Sequence, residues 1–394
     1  MTLNVTSAFD RGAQAGGQTA LGGLTPEKIR YLFERTDLET PFLTLNRSEI
    51  GRQYDLLKAA LPRVDIHYTV KPNIHDVVIS EVFNRGGNYD VCSAGEIDTV
   101  LRTGINPAAL IHSHPVKSIP EFDYAVSRGL QTFVIDNPEE VKKLTRYPKG
   151  RVKVIIRFRI ETESVAVVNL QYKYGCSLDE VLPLARAIQE AGQEYHGLCF
   201  HVGSQCLYSD NYVMATKAAA GLVRALDDAG FKTRVLDIGG GFPIEYTEPV
   251  PAIGDFCAPI RRALDEHISQ DIRIISEPGR FIAGGPVTLC TGVVGKAVRD
   301  GRVWYYLDDG LYSTFSGMLF DHCNYPVVTN STRNERLSVL AGPTCDSFDV
   351  MYDGIILPEM NVGDRILFGA TGAYCSVSGS SFNALRRPEY HVID

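Results

Sequence analysis

The feature that most constrains the fold is a regular alternation of strand-like and helix-like segments between residues 64 and 276. Short apolar runs rich in β-branched residues, such as Val64–Val70, are each followed by a segment with helical periodicity. Eight strand-like runs can be counted, the last ending at Ser276. Eight alternating units are the number that closes a parallel barrel, so the sequence predicts an α/β protein built on a (β/α)8 barrel.

Both ends of the chain depart from this alternation. Residues 1–24 are rich in Gly, Ala, Gln and Thr and predict a flexible N-terminal arm. Residues 25–45 contain a helix start and one strand-like run, and the sequence leaves open whether this segment joins the second domain. We assign residues 46–284 to the barrel. Residues 285–394 hold strand-like runs joined by turns and predict a second, mostly antiparallel β domain.

Charge and composition exclude several classes of protein. The net charge of −8 and the lack of a basic run argue against binding to nucleic acid. No apolar stretch is long enough to span a membrane, and the first residues lack the pattern of a secretory signal. Nine cysteines are scattered without CxxC pairs or clusters with histidine. This pattern predicts a cytoplasmic protein with reduced thiols and without a metal site.

Lys71 is the first candidate for chemistry, because it stands at the C-terminal end of the first barrel strand. Working residues of such barrels lie at these strand ends and in the loops that follow them. A single lysine is ordinarily a surface cation. The alternative is a nucleophilic amine that forms a Schiff base with a carbonyl cofactor.

Three further strand ends carry residues suited to binding an anion or an aromatic ring. Gly239–Gly241 let backbone N–H groups approach an anion. Glu277 places a carboxylate at the barrel mouth, and Arg280 is suited to a phosphate. His201 is placed to lie over a ring, and Ser204 to bond a phosphate oxygen. Taken alone, each is equally an ordinary structural feature: a flexible turn, a surface ion pair or a core histidine.

Together these residues meet the needs of pyridoxal 5'-phosphate (PLP). Lys71 would bind the aldehyde, and Glu277 would hold a proton on the pyridine nitrogen, which makes the ring an electron sink. The phosphate would be bound by the remaining groups: Gly239, Gly240, Gly241, Ser204 and Arg280.

Several motifs between about residue 40 and the end of the chain match those of a known family: Tyr68–Asn73, Tyr89–Glu96, His201–Gln205, Leu236–Pro243, Glu277–Arg280, Gly342–Ser347 and Gly372–Tyr374. The chain resembles the fold-type III PLP-dependent decarboxylases, in the ornithine decarboxylase branch. This resemblance implies an alanine-racemase-like barrel with a β domain. It also implies a homodimer with two shared active sites that act on a small amino-acid substrate.

The resemblance assigns further roles residue by residue. Asp90 and Glu96 look like the acids near the Schiff-base lysine, and Arg157 like a buried arginine near the cofactor. Tyr374 looks like a phosphate ligand. Cys345 resembles the cysteine that returns a proton to the α-carbon after carbon dioxide leaves, a role that a thiol can fill near neutral pH.

The substrate interpretation rests on two aspartates. Asp321 and Asp346 resemble the pair that binds the distal ammonium of ornithine, and Phe382 lies in a loop expected to contact substrate. The chain departs from the family at Ala384, where glycine is usual, and at His114, where asparagine is commoner. If the glycine needs a positive φ, the alanine would shift the loop that carries Phe382. Lysine, arginine and other diamine acids therefore stay open as substrates beside ornithine.

Two other functions fit the sequence less well. A catalytically inactive relative that binds a regulatory protein would be expected to lose cofactor residues, and this chain keeps them. A racemase would need a second acid or base on the opposite face of the α-carbon, and the pairing of Cys345 with Asp346 fits decarboxylation better.

Overall fold

The structure is a computed structural model that describes residues 26–35, 37–160, 166–168 and 172–394. The predicted arm, residues 1–24, lies outside these residues. The chain divides into two compact units. The barrel unit consists of Gly51–Pro243 and Pro251–Phe281. The β unit consists of the described residues up to Ile50 together with Ile244–Val250 and Ile282–Asp394.

The strands and helices follow one another closely along the chain. The strands are β1 Phe42–Asn46, β2 Val64–Thr69, β3 Asn88–Val91, β4 Ile111–His112, β5 Thr132–Ile135, β6 Lys153–Arg157, β7 Ala166–Val168, β8 Glu194–Cys199, β9 Ser204–Cys206, β10 Val235–Asp237, β11 Arg273–Ser276, β12 Val287–Arg299, β13 Arg302–Leu307, β14 Val327–Thr329, β15 Glu335–Ala341, β16 Val350–Pro358, β17 Arg365–Phe368 and β18 Glu389–Ile393. The α-helices are α1 Pro26–Glu34, α2 Arg47–Ala60, α3 Asp76–Asn84, α4 Ala94–Leu101, α5 Ile119–Ser127, α6 Pro138–Leu144, α7 Val181–Glu190, α8 Asp210–Asp228, α9 Ile253–His267, α10 Arg280–Ala283 and α11 Ser316–Phe320. Three short 3-10 helices span Pro107–Ala109, Leu178–Glu180 and Phe382–Ala384.

The barrel unit is a closed parallel barrel of eight strands in the order β2, β3, β4, β5, β6, β8, β10 and β11. This confirms the predicted (β/α)8 barrel. Buried side chains from six strands fill its interior: Ile111, Val134, Ile155, Cys199, Val235 and Ile275. The interior is therefore a packed core, and the strand ends are left to carry polar groups.

Several barrel helices begin at side chains that cap them. Ser93 accepts a hydrogen bond from the backbone N–H of Glu96, Ser118 from that of Glu121, and Asn137 from Glu140. Each cap satisfies one of the unpaired N–H groups of the first helical turn. The turn after each strand is thereby fixed, together with the side chains it carries.

The β unit contains an eight-stranded sheet with a path β14-β17-β12-β13-β15-β16. β1 pairs with β12 antiparallel and with β18 parallel, and β13 pairs with β15 parallel. The other pairs of the sheet are antiparallel, which confirms a mostly antiparallel second domain. β1, from the segment whose place the sequence left open, lies in this sheet.

The sequence interpretation missed three strands of this sheet, β14, β16 and β18. β18 pairs with β1, more than 300 positions earlier in the chain. Its residues Glu389–Ile393 are partly exposed and only weakly apolar, so pairing rather than local pattern decides its conformation.

All nine cysteines are free of disulfide bonds. Within the described ranges, no helix has both the length and the apolar character needed to cross a bilayer.

Candidate active site

Lys71 lies in a tight turn directly after β2. The backbone N–H of Asn73 donates a hydrogen bond to the carbonyl of Val70 (3.1 Å), and the hydroxyl of Tyr68 donates to the carbonyl of Asn73 (2.9 Å). The N–H of Val70 donates to the carbonyl of Asp90 on β3 (3.2 Å). The turn therefore holds the exposed lysine at the C-terminal end of the barrel.

Two acids, Asp90 and Glu96, lie near this lysine. Asp90 is fully buried, and its Oδ2 accepts a hydrogen bond from the hydroxyl of Thr69 (2.9 Å). Glu96 stands in the first turn of α4, and its Oε2 accepts the backbone N–H of Cys92 (2.6 Å). Burial raises the pKa of Glu96 to about 7, with Asp90 adding to the rise and Lys71 opposing it.

Glu277 follows β11 and points its carboxyl into a buried position, where it is 6% exposed. Burial raises the pKa of Glu277 well above its ordinary value, and Asp237 and Asp90 act in the same direction. Its Oε1 receives no hydrogen bond from any backbone N–H or hydroxyl that the structure describes. A buried carboxyl oxygen with an open acceptor position suits a ring N–H.

Ser204 and Arg280 form a polar pair at two strand ends. Nη2 of Arg280 donates a hydrogen bond to Oγ of Ser204 (3.0 Å), and Arg280 is only 5% exposed. A buried guanidinium beside a hydroxyl is suited to an anion such as a phosphate.

Gly239–Gly241 form a turn with no room for side chains. A Cβ atom at these three positions would lie 2.5, 2.3 and 2.2 Å from the carbonyl oxygens of Phe200, Glu277 and Gly203, respectively. The first and third glycines also have positive φ angles of 67° and 108°. Glycine is therefore required here, and the turn leaves its backbone open to a close ligand.

His201 follows β8, and its Nδ1 accepts the backbone N–H of Gly203 (3.0 Å). Burial lowers the pKa of His201 well below its ordinary value, and the positive charges of Arg157 and Lys71 act in the same direction. The imidazole is therefore neutral at physiological pH, which suits a ring that stacks on another ring.

Arg157 ends β6 and is 9% exposed. Its guanidinium lies 5.5 Å from the ring centroid of Tyr174, whose hydroxyl is 3.3 Å from Nε2 of His114. The histidine that departs from the family pattern is thus linked to the predicted arginine through one tyrosine.

In the β unit, Cys345 and Phe382 belong to one connected group. The N–H of Cys345 donates to Oδ1 of Asn383 (3.3 Å), and Nδ2 of Asn383 lies 3.6 Å from the Cys345 sulfur. The ring of Phe382 stacks on Tyr312 with centroids 4.5 Å apart. The short 3-10 helix therefore links the thiol to the aromatic pair.

Asp346 is held in its ionised form by two donors. The hydroxyl of Tyr312 donates to Oδ2, and the N–H of Phe348 donates to Oδ1 (3.0 Å). These hydrogen bonds, that of Tyr312 first, lower the pKa of Asp346. Two other predicted residues belong to the same unit: Asp321 directly follows α11, and Tyr374 follows β17.

Ala384, where the family usually has glycine, adopts a left-handed backbone conformation. Its φ is 53°, and the preceding Asn383 has a φ of 56°. An alanine occupies this region at a cost, whereas glycine occupies it freely. The position does need a positive φ, and the alanine adopts it.

Sequence reasoning did not single out Tyr312, Asn383 or Asp237. Asp237 is recognisable in retrospect, since it ends a strand and directly precedes the glycine turn. Tyr312 is one of 19 tyrosines, and only the fold brings it to Asp346. No local pattern marks either Tyr312 or Asn383.

The barrel unit carries groups of the kinds that PLP needs. Lys71 could supply an amine for the aldehyde, Glu277 has a buried carboxyl oxygen with an open acceptor position, and Gly239–Gly241 leave their backbone open to a close ligand. Among the described residues, no cluster of His, Cys, Asp and Glu is arranged to hold a metal ion.

Comparison with known proteins gives the same cofactor. Residues 47–284 match the family model described as "Pyridoxal-dependent decarboxylase, pyridoxal binding domain". A lysine/ornithine decarboxylase from Selenomonas ruminantium is 33% identical over 363 residues, which cover 91% of each protein. The crystal structure of a lysine/ornithine decarboxylase from Vibrio vulnificus, complexed with putrescine, superimposes with a TM-score of 0.88 at 36% identity, covering 94% of this chain and 99% of that one. Antizyme inhibitor 2 from Xenopus laevis is 31% identical, over 93% of this chain and 83% of that protein. The cofactor is therefore PLP.

Proposed function

Because the chain belongs to the pyridoxal-dependent decarboxylase family, we propose that it converts L-ornithine to putrescine and carbon dioxide. Membership of the family supports PLP-dependent decarboxylation of an amino acid. The identity of that amino acid as ornithine is the more specific part of the proposal. L-lysine is the principal alternative, because the relatives from Selenomonas and Vibrio carry both substrates in their names.

The observation that carries the proposal is the ionised carboxylate of Asp346 next to Cys345. Tyr312 and the backbone N–H of Phe348 fix this carboxylate and lower its pKa, so it keeps its negative charge throughout the physiological range. A fixed carboxylate binds a distal ammonium through charge-assisted hydrogen bonds. Asp321 would be the second carboxylate for the same ammonium.

The barrel residues hold and orient the cofactor in this proposal. When bound, PLP supplies an electron sink for the charge that develops at the α-carbon. Glu277 and His201 would contact its ring, and Lys71 would bind its aldehyde. Asp90 and Arg157 would order the charges around that lysine. The phosphate would be bound by Gly239, Gly240, Gly241, Ser204, Arg280 and Tyr374.

Cys345 would donate the proton that replaces the lost carboxylate on the α-carbon. Its thiol is exposed, and Asn383 holds the backbone beside it. An acid placed at the reacting atom typically contributes about 10²–10⁴-fold to a rate. Replacing Cys345 with alanine is therefore expected to lower turnover far more than replacing the buried Cys257 on α9.

The protein acts as a homodimer in this proposal, with residues of each copy completing the site of the other. The β unit exposes apolar side chains close in sequence to its candidate site residues. Phe320 is 65% exposed, Phe348 59% and Phe382 42%. Apolar groups of this size at a functional surface suit coverage by a second copy.

One assay tests the chemistry. Purified protein loaded with PLP is given L-ornithine, and carbon dioxide, putrescine and residual optical activity are measured. We expect stoichiometric gas and amine, and we expect Lys71→Ala to abolish both. Loss of optical activity without gas would indicate a racemase instead.

A mixture of two inactive variants tests the shared site. Lys71→Ala and Cys345→Ala are each inactive or nearly so, but their mixed dimer carries one site with both residues intact. We expect mixing to restore up to about a quarter of wild-type activity, the statistical share of intact sites. Activity that stays at the sum of the two separate variants would contradict a shared site.

The similarity to antizyme inhibitor 2 favours one second candidate, a protein that acts by binding a regulatory partner. The chain keeps Lys71, Glu277 and Arg280, which argues for cofactor binding. Purified protein without the absorbance of bound PLP would favour the binding function.

A further inference from the structure

A chain of hydrogen bonds joins Asp237, Gly239 and Glu277 at the ends of β10 and β11. Oδ1 of Asp237 accepts the N–H of Gly239 (2.8 Å), and the carbonyl of Gly239 accepts the N–H of Glu277 (2.8 Å). The two carboxyl groups also act on each other: burial raises the pKa of both, and Asp237 raises that of Glu277 further. The glycine turn and the buried glutamate are thus joined through both backbone and side chain.

A direct hydrogen bond between the two carboxyl groups would require a proton. Oδ2 of Asp237 and Oε1 of Glu277 are buried, and neither receives a hydrogen bond from a described N–H or hydroxyl. Two ionised carboxylates only repel each other, whereas one proton between them makes an O–H···O bond. The geometry therefore favours a carboxyl pair that shares one proton.

The surroundings of the two acids also favour a protonated carboxyl group. Asp237 is fully buried, and burial raises its pKa to about 7. Asp90 from β3, Cys199 from β8 and Lys71 after β2 act on the two acids. Arg157 at the end of β6 acts on the same Cys199, and His201 lies beside the glycine turn. Lys71 and Arg157 supply two positive charges against three buried carboxylates, so one acid retains a proton near neutral pH.

From these contacts we propose that Asp237 is a positioning residue that fixes the carboxyl of Glu277 against the Gly239–Gly241 turn and shares a proton with it. The inference rests on the proposed PLP site. It extends that proposal by linking Glu277, the partner of the ring nitrogen, to the phosphate-binding turn. The pair then presents a single negative charge, which matches the single positive charge of a protonated pyridine.

The glycine turn packs closely against both Glu277 and His201. A Cβ on Gly240 would lie 2.3 Å from the carbonyl oxygen of Glu277 and 3.4 Å from Nε2 of His201. Displacing Glu277 would therefore displace the glycine turn and the histidine beside it. Loss of Asp237 is expected to affect both ends of the cofactor site.

Two substitutions distinguish the positioning role of Asp237 from its role in sharing a proton. Asp237→Asn keeps an oxygen that accepts from Gly239 and adds an N–H donor toward Glu277, so it keeps both contacts but removes the shared proton. Asp237→Ala removes both contacts. Asp309→Asn is the matched control, because Asp309 is equally buried, accepts the N–H of the next residue, Gly310 (2.7 Å), and lies in the β unit.

The readout is the dissociation constant of PLP, measured by absorbance titration of the full-length protein at several pH values. We expect Asp237→Ala to raise this constant by at least about tenfold, the effect of one lost hydrogen bond to a charged group. We expect Asp237→Asn to bind with a constant whose ratio to wild type changes across about pH 6–8, since its proton is gone. Asp309→Asn should give a ratio near one at every pH.

Two results would overturn the inference. One is an unchanged dissociation constant and pH profile in both Asp237 variants. The other is an equal change in Asp309→Asn, which would indicate general loss of stability. Because cofactor binding is measured without substrate, a wild-type protein that binds PLP but releases no putrescine would refute the proposed function and leave this test intact.

Discussion

Tyr312 donates its phenolic hydrogen to the Oδ2 atom of Asp346. The same tyrosine stacks on Phe382, so one side chain supports both the charge and the apolar wall of the candidate substrate site. The two aromatic rings and the carboxylate therefore act as one structural group.

Removing the hydroxyl of Tyr312 tests this relationship. Tyr312→Phe keeps the stacking on Phe382 but deprives Asp346 of a donor. We expect kcat/KM for ornithine to fall about three- to tenfold, mostly through KM, because Asp346 loses the hydroxyl donor that fixes its carboxylate. Tyr124→Phe is a matched control, since Tyr124 donates to Asp98 (2.6 Å) on the outer helices of the barrel. An equal loss in the control would contradict the assignment.

Arg280 is expected to set the affinity for PLP. Arg280→Gln removes the charge but leaves a polar side chain near Ser204. We expect the dissociation constant of PLP to rise about 10–100-fold, since hydrogen bonds to charged groups contribute about 1.5–3 kcal/mol. Equilibrium dialysis measures this directly. Arg273→Gln, at an exposed arginine that binds Asp65 (2.8 Å), should leave the affinity unchanged. Normal binding by Arg280→Gln would place the phosphate elsewhere.

Ala384 is expected to limit stability. Ala384→Gly should raise the free energy of unfolding by about 0.5–1 kcal/mol, because glycine adopts the φ of 53° without the clash that alanine suffers. Ala225→Gly is the control, since Ala225 is exposed in the interior of α8, where glycine should lower stability by about 0.5–1 kcal/mol. Chemical denaturation compares the two. A destabilised Ala384→Gly variant would mean that the surroundings favour the methyl group.

Glu96 should contribute a pH dependence to the stability of the cofactor-free protein. Its folded pKa of about 7 lies above the ordinary value of 4.5, so the folded state binds more protons than the unfolded state between these values. The free energy of unfolding therefore falls as pH rises through this interval, by at most about 1.4 kcal/mol per pH unit from this group.

Glu96→Gln should make that fall shallower, as measured by urea denaturation at a series of pH values. Glu139→Gln removes an exposed carboxylate that pairs with Lys142 (2.5 Å) on α6 and serves as the control. A wild-type slope in Glu96→Gln would contradict the assignment.

The barrel, and the placement of the candidate cofactor residues at its strand ends, were predictable because both depend on local pattern. Lys71, His201 and Glu277 follow apolar strands, and strand ends of a parallel barrel meet at one edge. The glycine turn was recognisable in the same way, because three successive glycines directly after a strand leave the backbone open at that edge. Predicting these features requires only the number of strands and the position of each residue within its strand–helix repeat.

The contacts that organise the β unit were not predictable in this way. Asn383 reaches Cys345 across 38 positions, and Tyr312 reaches Asp346 across 34. β18 takes its conformation from β1 rather than from its own sequence. Such pairings depend on tertiary packing, which the local periodicity of one sequence does not contain.

A competition assay tests the central claim most directly. The protein loaded with PLP is given equal amounts of L-ornithine, L-lysine and L-arginine in one vessel, and the amines are measured by mass in the first minutes. The ratio of initial products equals the ratio of kcat/KM values for the three substrates. We expect putrescine to form fastest, cadaverine to follow and agmatine to be least. Cadaverine or agmatine ahead of putrescine would contradict the ornithine assignment, and the absence of all three amines would contradict the decarboxylase itself.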